Sequence, residues 1–133
     1  MKVEVFMKAL SLRPDYAFDV LAGKKSTEYR SWKTDYRGDL LICSTKKKIP
    51  GTIQGYALIV CELVDIQKDR GGYAWILSNF RTIHPFKVKG QRRLFDVDDN
   101  LIKFTGFKEK ETDPERIKQA EQWVKDEIIP LIS

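Results

Sequence analysis

The sequence predicts an α+β fold: a small mixed β-barrel with one helix after its first strand and a second helix at the C-terminus. Three observations carry this prediction. Short apolar runs bounded by Gly, Pro and charged turns recur along the chain. A Pro-initiated amphipathic segment interrupts them after the first run, and a charged helical pattern closes the sequence. At 133 residues, 42% hydrophobic and 32% charged, the chain has the size and composition of a single domain over residues 1–133. A chain of this length buries roughly two thirds of its unfolded surface, enough for a core without a metal or disulfide. Disordered and fibrous classes are excluded by the same composition.

The opening run VEVFMKALSL alternates Val3, Val5, Met7 and Ala9 against charged or outward positions and predicts a strand. Arg13-Pro14 then begins a short helix, because the missing N–H of Pro14 costs nothing in a first turn. Ala17, Val20 and Leu21 form its apolar stripe, and Gly23 is its stop. Lys25 to Arg30 reads as a strand with Thr27 and Tyr29 on one face and Ser26, Glu28 and Arg30 on the other. GDLLICS is a short apolar strand, and TKKKIPG after it is a loop. GYALIVCELVDI is long, β-branched and nearly all apolar, which predicts a central strand. Residues 67–72 form a turn around Asp69-Arg70-Gly71-Gly72, followed by a strand at YAWILS. FRTIHPFKVKGQRRLFDV reads as irregular structure or short strands broken by Pro85 and Gly90, and NLIKFTGF as a last strand. Residues 112–130 form the C-terminal helix, with Thr112 and Glu115 at capping-box spacing and either Thr112 or Asp113 as the cap. Its apolar face comprises Ile117, Ala120, Trp123 or Val124, and Ile128.

Charge is unevenly distributed. The net charge is +5, and residues 1–60 account for all of it, with 11 Lys/Arg against 6 Asp/Glu. Within the neutral remainder, residues 81–93 hold Arg81, Lys87, Lys89, Arg92 and Arg93 and no acid. Brought together, these segments make a basic face suited to a polyanion or a phosphorylated ligand. Cys43 and Cys61 lie among apolar residues and are expected to be reduced, packed thiols. Two Cys and one His cannot form a zinc site without scattered carboxylates, so no metal and no cofactor is expected. The opening lacks an apolar leader with a cleavage site, and no apolar stretch approaches about 18 residues. The expectation is a cytoplasmic protein with no membrane association.

The densest chemistry lies in GKKSTEYRSWK. Glu28 and Arg30 share a strand face, with Lys24 and Lys25 at the preceding turn and Trp32 and Lys33 beyond. A carboxylate among cations orients them as directed donors toward a phosphate or a base edge. The residues leave two readings open: a ligand pocket, or a solvated strand of alternating charge. Trp32, Tyr36, Tyr73 and Trp75 either stack a base or fill the core; polar neighbours favour stacking for Trp32, and apolar ones favour packing for Trp75. Lys46, Lys47 and Lys48 form either a solvated loop or a salt-sensitive phosphate contact. His84 has no partner at ligand or nucleophile spacing, which favours a structural role. Phosphate-loop, dinucleotide and zinc-protease motifs are absent.

These residues together resemble the ASCH domain family of the PUA-like β-barrel group. The likeness rests on Ser11, Arg13-Pro14, Gly23-Lys24-Lys25, Glu28, Arg30, Trp32, Arg37-Gly38 and Ser44. It continues through Trp75, Pro85, Lys89-Gly90-Gln91 and Phe95, to about residue 105. The resemblance implies a PUA-like barrel whose cleft binds RNA or a nucleotide-like ligand, involving Lys25, Glu28 and Arg30 together with Ser11, Arg13, Ser44 and Lys89. Some compact bacterial members remove the acetyl group of N4-acetylcytidine. Their lysine aligns with Lys25, but their threonine nucleophile aligns with Glu28, and Thr27 points to the opposite face. Other members are described as ribonucleases with a lysine–tyrosine–serine set, for which Lys25, Tyr36 or Tyr29, and Ser44 are the available types.

The expected function is binding of RNA, a nucleotide or a modified nucleoside. Lys25 and Arg30 would serve as donors, Glu28 as acceptor and Trp32 as a stacking wall, with Lys24 and Lys33 among the binding residues. The alternatives are a metal-independent hydrolase of a modified nucleoside or of RNA, with Lys25 and Glu28 as catalytic candidates, and a protein-interaction module.

Overall fold

Apolar runs with period two become strands, and the order in which they pair decides where the polar residues at their ends meet. The computed structural model describes residues 5–133. Its strands are β1 (Phe6–Leu12), β2 (Thr27–Arg30), β3 (Gly38–Ser44), β4 (Tyr56–Asp69), β5 (Gly72–Lys87) and β6 (Leu94–Asp98). Helix α1 (Pro14–Leu21) follows β1, and α2 (Pro114–Trp123) lies near the C-terminus. The strands form one curled six-stranded sheet, a half-barrel, in the order β2-β5-β4-β3-β1-β6. Only β1 and β3 are parallel. The edges β2 and β6 do not pair with each other, so the expected barrel is open.

β3 explains why the sheet reads as continuous apolar sequence. Leu40 and Ile42 pack into one cluster with Leu10, Leu12, Leu58, Trp75 and, from α1, Ala17 and Val20. Leu41 and Cys43 enter a second cluster with Ala9, Val60, Ile83 and Phe95 on the opposite face. Both faces are covered, so neither side of β3 needs polar residues. β4, read from sequence as central, is internal to the sheet, and Trp75 is fully buried.

α1 runs as expected from Pro14, with Ala17 and Val20 buried and Gly23 (φ 76°) reversing the chain just beyond it. Arg70 (φ 45°) and Gly71 (φ 82°) form the two-residue turn between β4 and β5. Both central residues have positive φ, which matches the right-handed twist of the flanking strands. The strands therefore reach further into residues 67–72 than the sequence suggested.

Four expectations need correction or limitation. Val3 lies outside the described residues, and β1 begins at Phe6. β5 continues through Pro85 instead of breaking there. The register steps from Ala57↔Phe86 to Ile59↔Thr82, so β5 carries extra residues against β4, and Pro85 sits in that bulge without forfeiting a ladder bond. The run NLIKFTGF is no strand: it is a 3₁₀ turn over Asp99–Leu101 followed by one bridge, Ile83↔Phe104. The predicted helix 112–130 is α-helical only over Pro114–Trp123 and continues as a π turn (Val124–Ile128) and a 3₁₀ turn (Ile129–Leu131). Its cap is Asp113, whose carboxylate accepts from the Glu115 N–H at 3.0 Å, and not a Thr112 capping box. No residue of α2 itself is buried; Ile128 is the anchor.

Candidate nucleic-acid interface

Gly23 turns the chain out of α1, and the Asp19 carbonyl accepts from both Lys24 N–H (2.8 Å) and Lys25 N–H (3.2 Å), which sets the entry into β2. β2 lies antiparallel to β5, with Glu28 opposite Trp75 and Arg30 opposite Tyr73. Glu28 is consequently buried, only 3% exposed. Its Oε1 accepts from the Tyr29 N–H at 3.0 Å and faces Lys25 Nζ at 3.2 Å, while Oε2 accepts from Arg30 Nη2 at 3.3 Å. Arg30 Nη2 also donates to the Ser11 carbonyl at 2.9 Å, linking edge strand β2 to the end of β1 across the open side of the sheet.

Two side-chain atoms at this junction are buried without a hydrogen-bond partner among the described residues: Arg30 Nε and Ser11 Oγ. Both residues line a cleft of about 690 Å³ bounded by the ends of β1, β2 and β3 and the segment 88–93. Trp32 forms one wall. It meets Trp75 edge to face at 4.8 Å, and its carbonyl accepts from Trp75 Nε1 at 3.2 Å. The Arg93 guanidinium lies 5.0 Å from the Trp32 ring, on a backbone with φ 58° that non-glycine residues adopt sparingly. Gly90 presses against β1: a Cβ there would collide with Ser11 Oγ. Ser44 forms part of the floor, and its hydroxyl is engaged with the backbone of Tyr56, accepting from N–H at 3.2 Å and donating to O at 3.4 Å.

Of the residues singled out in the sequence, the fold gathers Ser11, Arg30, Trp32, Ser44 and Lys89 around this cleft. The others lie elsewhere. Arg13 is on the surface, beside Asp15 at 2.9 Å and over the Tyr16 ring. Lys24 is exposed, and Lys33 lies over the Tyr73 ring at 5.8 Å. Lys25 sits behind Glu28 and borders a separate cavity of about 350 Å³ with Val20, Phe80 and Phe107. Lys25 and Ser44 therefore do not share a cavity, and the Tyr36 hydroxyl donates to the Asp39 carbonyl. Burial first, then the Asp39 charge, holds the Tyr36 phenol above its ordinary pKa.

Lys46, Arg92 and Arg93 complete the cleft; the sequence offered Lys46 only as part of the lysine run 46–48 and the two arginines only as part of the segment 81–93. The available signal was the cations beside Gly90 in the segment 81–93, but that segment does not act as one patch. Arg81 is turned away and holds Asp39 through contacts of 2.6 and 3.3 Å, which raise its already high pKa. Lys47 and Lys48, next to Lys46, line none of these cavities. His84 lies on the surface, its Nδ1 2.8 Å from the Glu127 carboxylate. Cys43 and Cys61 are free and buried, and burial pushes both thiols up to about 12. Among the described residues no group of three or more His, Cys, Asp or Glu is placed to hold a metal ion, and no helix is long and apolar enough to cross a membrane.

Fold and site together define a half-barrel α+β domain with a basic, tryptophan-walled cleft at the open edge of its sheet. Compared with models of known families, the sequence matches the ASCH domain over residues 10–129. The chain belongs to the ASCH domain family, and that membership suggests a role connected with nucleic acids. Comparison with curated proteins gives no match.

Proposed function

We propose that the protein binds a nucleic acid or a modified nucleoside in the cleft between Ser11, Arg30 and Trp32. One observation carries the reading: Arg30 and Ser11 line a common cleft, and Arg30 Nε and Ser11 Oγ are buried without a hydrogen-bond partner among the described residues. A buried donor left unsatisfied costs about 1–3 kcal/mol, which a ligand phosphate or carbonyl oxygen recovers on binding. Arginine offers only donors, so the complementary group is an acceptor. Glu28 is a positioning residue: it holds the Arg30 guanidinium from behind and leaves Nε free. Trp32 supplies the aromatic ring, and since the Arg93 guanidinium lies over it, a base stacks there by displacing or sandwiching that guanidinium. Lys25 supports Glu28 from the far side. Hydrolysis of the bound ligand, with Lys25 and Glu28 as the reacting groups, is the competing reading. Glu28 is already engaged by three donors, which favours a supporting role over chemistry.

The test is titration of tryptophan fluorescence with nucleosides, nucleotides and short RNA, followed by mass analysis of each recovered ligand. Ser11→Ala removes an unpartnered hydroxyl, so it is expected to leave stability unchanged while weakening binding. Arg30→Lys is expected to weaken binding about tenfold or more, since hydrogen bonds to charged groups contribute about 1.5–3 kcal/mol. Full affinity in both variants would overturn the proposal. A changed ligand mass that disappears in Glu28→Gln would instead make the protein a hydrolase.

A further inference from the structure

We infer that the ligand is a single-stranded oligonucleotide and that a second subsite beside the cleft takes the neighbouring phosphate. The inference rests on the reading of the cleft given above and adds the class of ligand. A depression of about 420 Å³ adjoins the cleft and shares Lys46, Val88 and Lys89 with it. Beyond that shared floor it adds Lys87 and Tyr56. Each of the two volumes exceeds the roughly 300 Å³ at which small-ligand sites begin, so the groove is larger than one nucleotide needs.

The junction is built by backbone. Gly55 N–H donates to the Thr45 carbonyl at 3.0 Å, and Val88 N–H donates to the Gly55 carbonyl at 3.1 Å. These bonds tie the loop after β3 to the segment after β5, and so hold Lys46 beside Lys87 and Lys89. The Ser44 hydroxyl, on the cleft floor, joins the backbone of Tyr56 in the adjoining depression, so the two share a fixed wall.

Charge identifies what such a groove accepts. Among the described residues its lining holds Arg30, Lys46, Lys87, Lys89, Arg92 and Arg93, and no Asp or Glu. Only Arg30 has a carboxylate partner among the described ion pairs. The remaining five, Lys46, Lys87, Lys89, Arg92 and Arg93, line the two joined volumes with no carboxylate partner among the described ion pairs. An uncharged nucleoside compensates none of them, and a mononucleotide compensates them at one end only. A strand carries a phosphate at every step, and Trp32, which lines the cleft but not the adjoining depression, supplies the aromatic ring that distinguishes a nucleic acid from an acidic peptide.

The experiment measures quenching of tryptophan fluorescence by uridine monophosphate, by oligouridylates and oligothymidylates of two to six units, and by polyglutamate. It is repeated over a range of salt for the natural protein, Lys87→Ala and Ser11→Ala. Affinity is expected to rise at least tenfold from one unit to three. The slope of log K against log salt for the longer strands should fall by about 0.7 in Lys87→Ala, one single-strand phosphate contact. Binding of the monophosphate should be unchanged in Lys87→Ala and weakened in Ser11→Ala. Equal affinity for monomer and hexamer, with Lys87→Ala silent, would overturn the second subsite and leave the cleft reading intact. Failure of every nucleotide to bind would overturn both, and polyglutamate binding as tightly as the hexamer would overturn the assignment to a nucleic acid.

Discussion

Ser11 and Gly90 are coupled by one packing fact: the backbone at Gly90 lies so close to Ser11 that no side chain fits between them. The nearest atom in the way is a hydroxyl that can rotate, and Ser11 Cβ behind it at 3.3 Å needs to give by only a few tenths of an ångström, so Gly90→Ala is expected to swing Ser11 Oγ aside instead of unfolding the domain. The expected readout is a ligand affinity reduced to the level of Ser11→Ala, with a urea midpoint close to that of the natural protein. Glu28 behaves differently, since its role is compensation of charge inside the fold. Glu28→Gln keeps the shape but leaves Lys25 and Arg30, whose side chains are 20% and 25% exposed, without their counter-charge. Partial exposure reduces the penalty below that of a fully buried pair, so a loss of about 1–3 kcal/mol is expected in urea unfolding. An unchanged midpoint would mean that solvent already screens the trio. At this scale the sequence was informative about type: Glu28 and Arg30 two residues apart on a strand announce a shared face. It was silent on burial, because the residues covering Glu28 belong to a strand more than forty positions away.

Elements differ in how much of their stability is their own. α2 has a capped N-terminus but no buried residue, whereas Ile128, in the turn that follows it, is 6% exposed and joins the core cluster of β1, β3 and β4. Ile128→Ala is therefore expected to cost about 2–4 kcal/mol, and Ile117→Ala, at 38% exposure, no more than about 0.5 kcal/mol. Chemical denaturation of the two variants separates the outcomes; equal losses would mean that the whole helix is docked. The helical period predicted one apolar face for Ile117 and Ile128, but the chain leaves α-helical geometry at Val124 and Ile117 stays exposed. Whether that face touches anything depends on the elements around it. β5 makes the same point in reverse. Pro85 signals a break when only neighbours in sequence are considered, and the chain avoids one by placing it in a bulge. There the His84 N–H turns to the Lys103 carbonyl at 2.8 Å, so the segment after β6 takes up a bond that β4 does not.

Across the molecule, the two thiols report on the core as a whole. Cys43 lies in one cluster and Cys61 in the other, and burial raises both from an ordinary 9.0 to about 12. In the unfolded chain each thiol loses its proton near the ordinary value, while the folded chain keeps it until about 12. The unfolded state then binds fewer protons, so this contribution is fully present below about pH 9 and is lost as pH rises toward about 12. Urea midpoints measured on both sides of the ordinary value should fall with rising pH, and less steeply in Cys61→Ala. A thiol reagent at neutral pH should label neither cysteine until the protein unfolds; rapid labelling of the native protein would contradict burial on both faces of the sheet.

By itself the sequence determined the class of fold, the order of most elements and the chemical types available to the site. These follow from local periodicity, turn chemistry and the recurrence of family residues, all of which neighbouring positions express. Tertiary structure alone decided which cations are partners of a carboxylate and which face the groove. Arg81 and Lys89 stand in one basic segment, yet the bulged, curling β5 turns the first toward Asp39 and carries the second to the cleft. Lys46 separates from Lys47 and Lys48 in the same way, through a backbone bond between Gly55 and Thr45. The physical reason is that charge is legible residue by residue, whereas its neutralisation depends on distances between segments that only the closed fold sets.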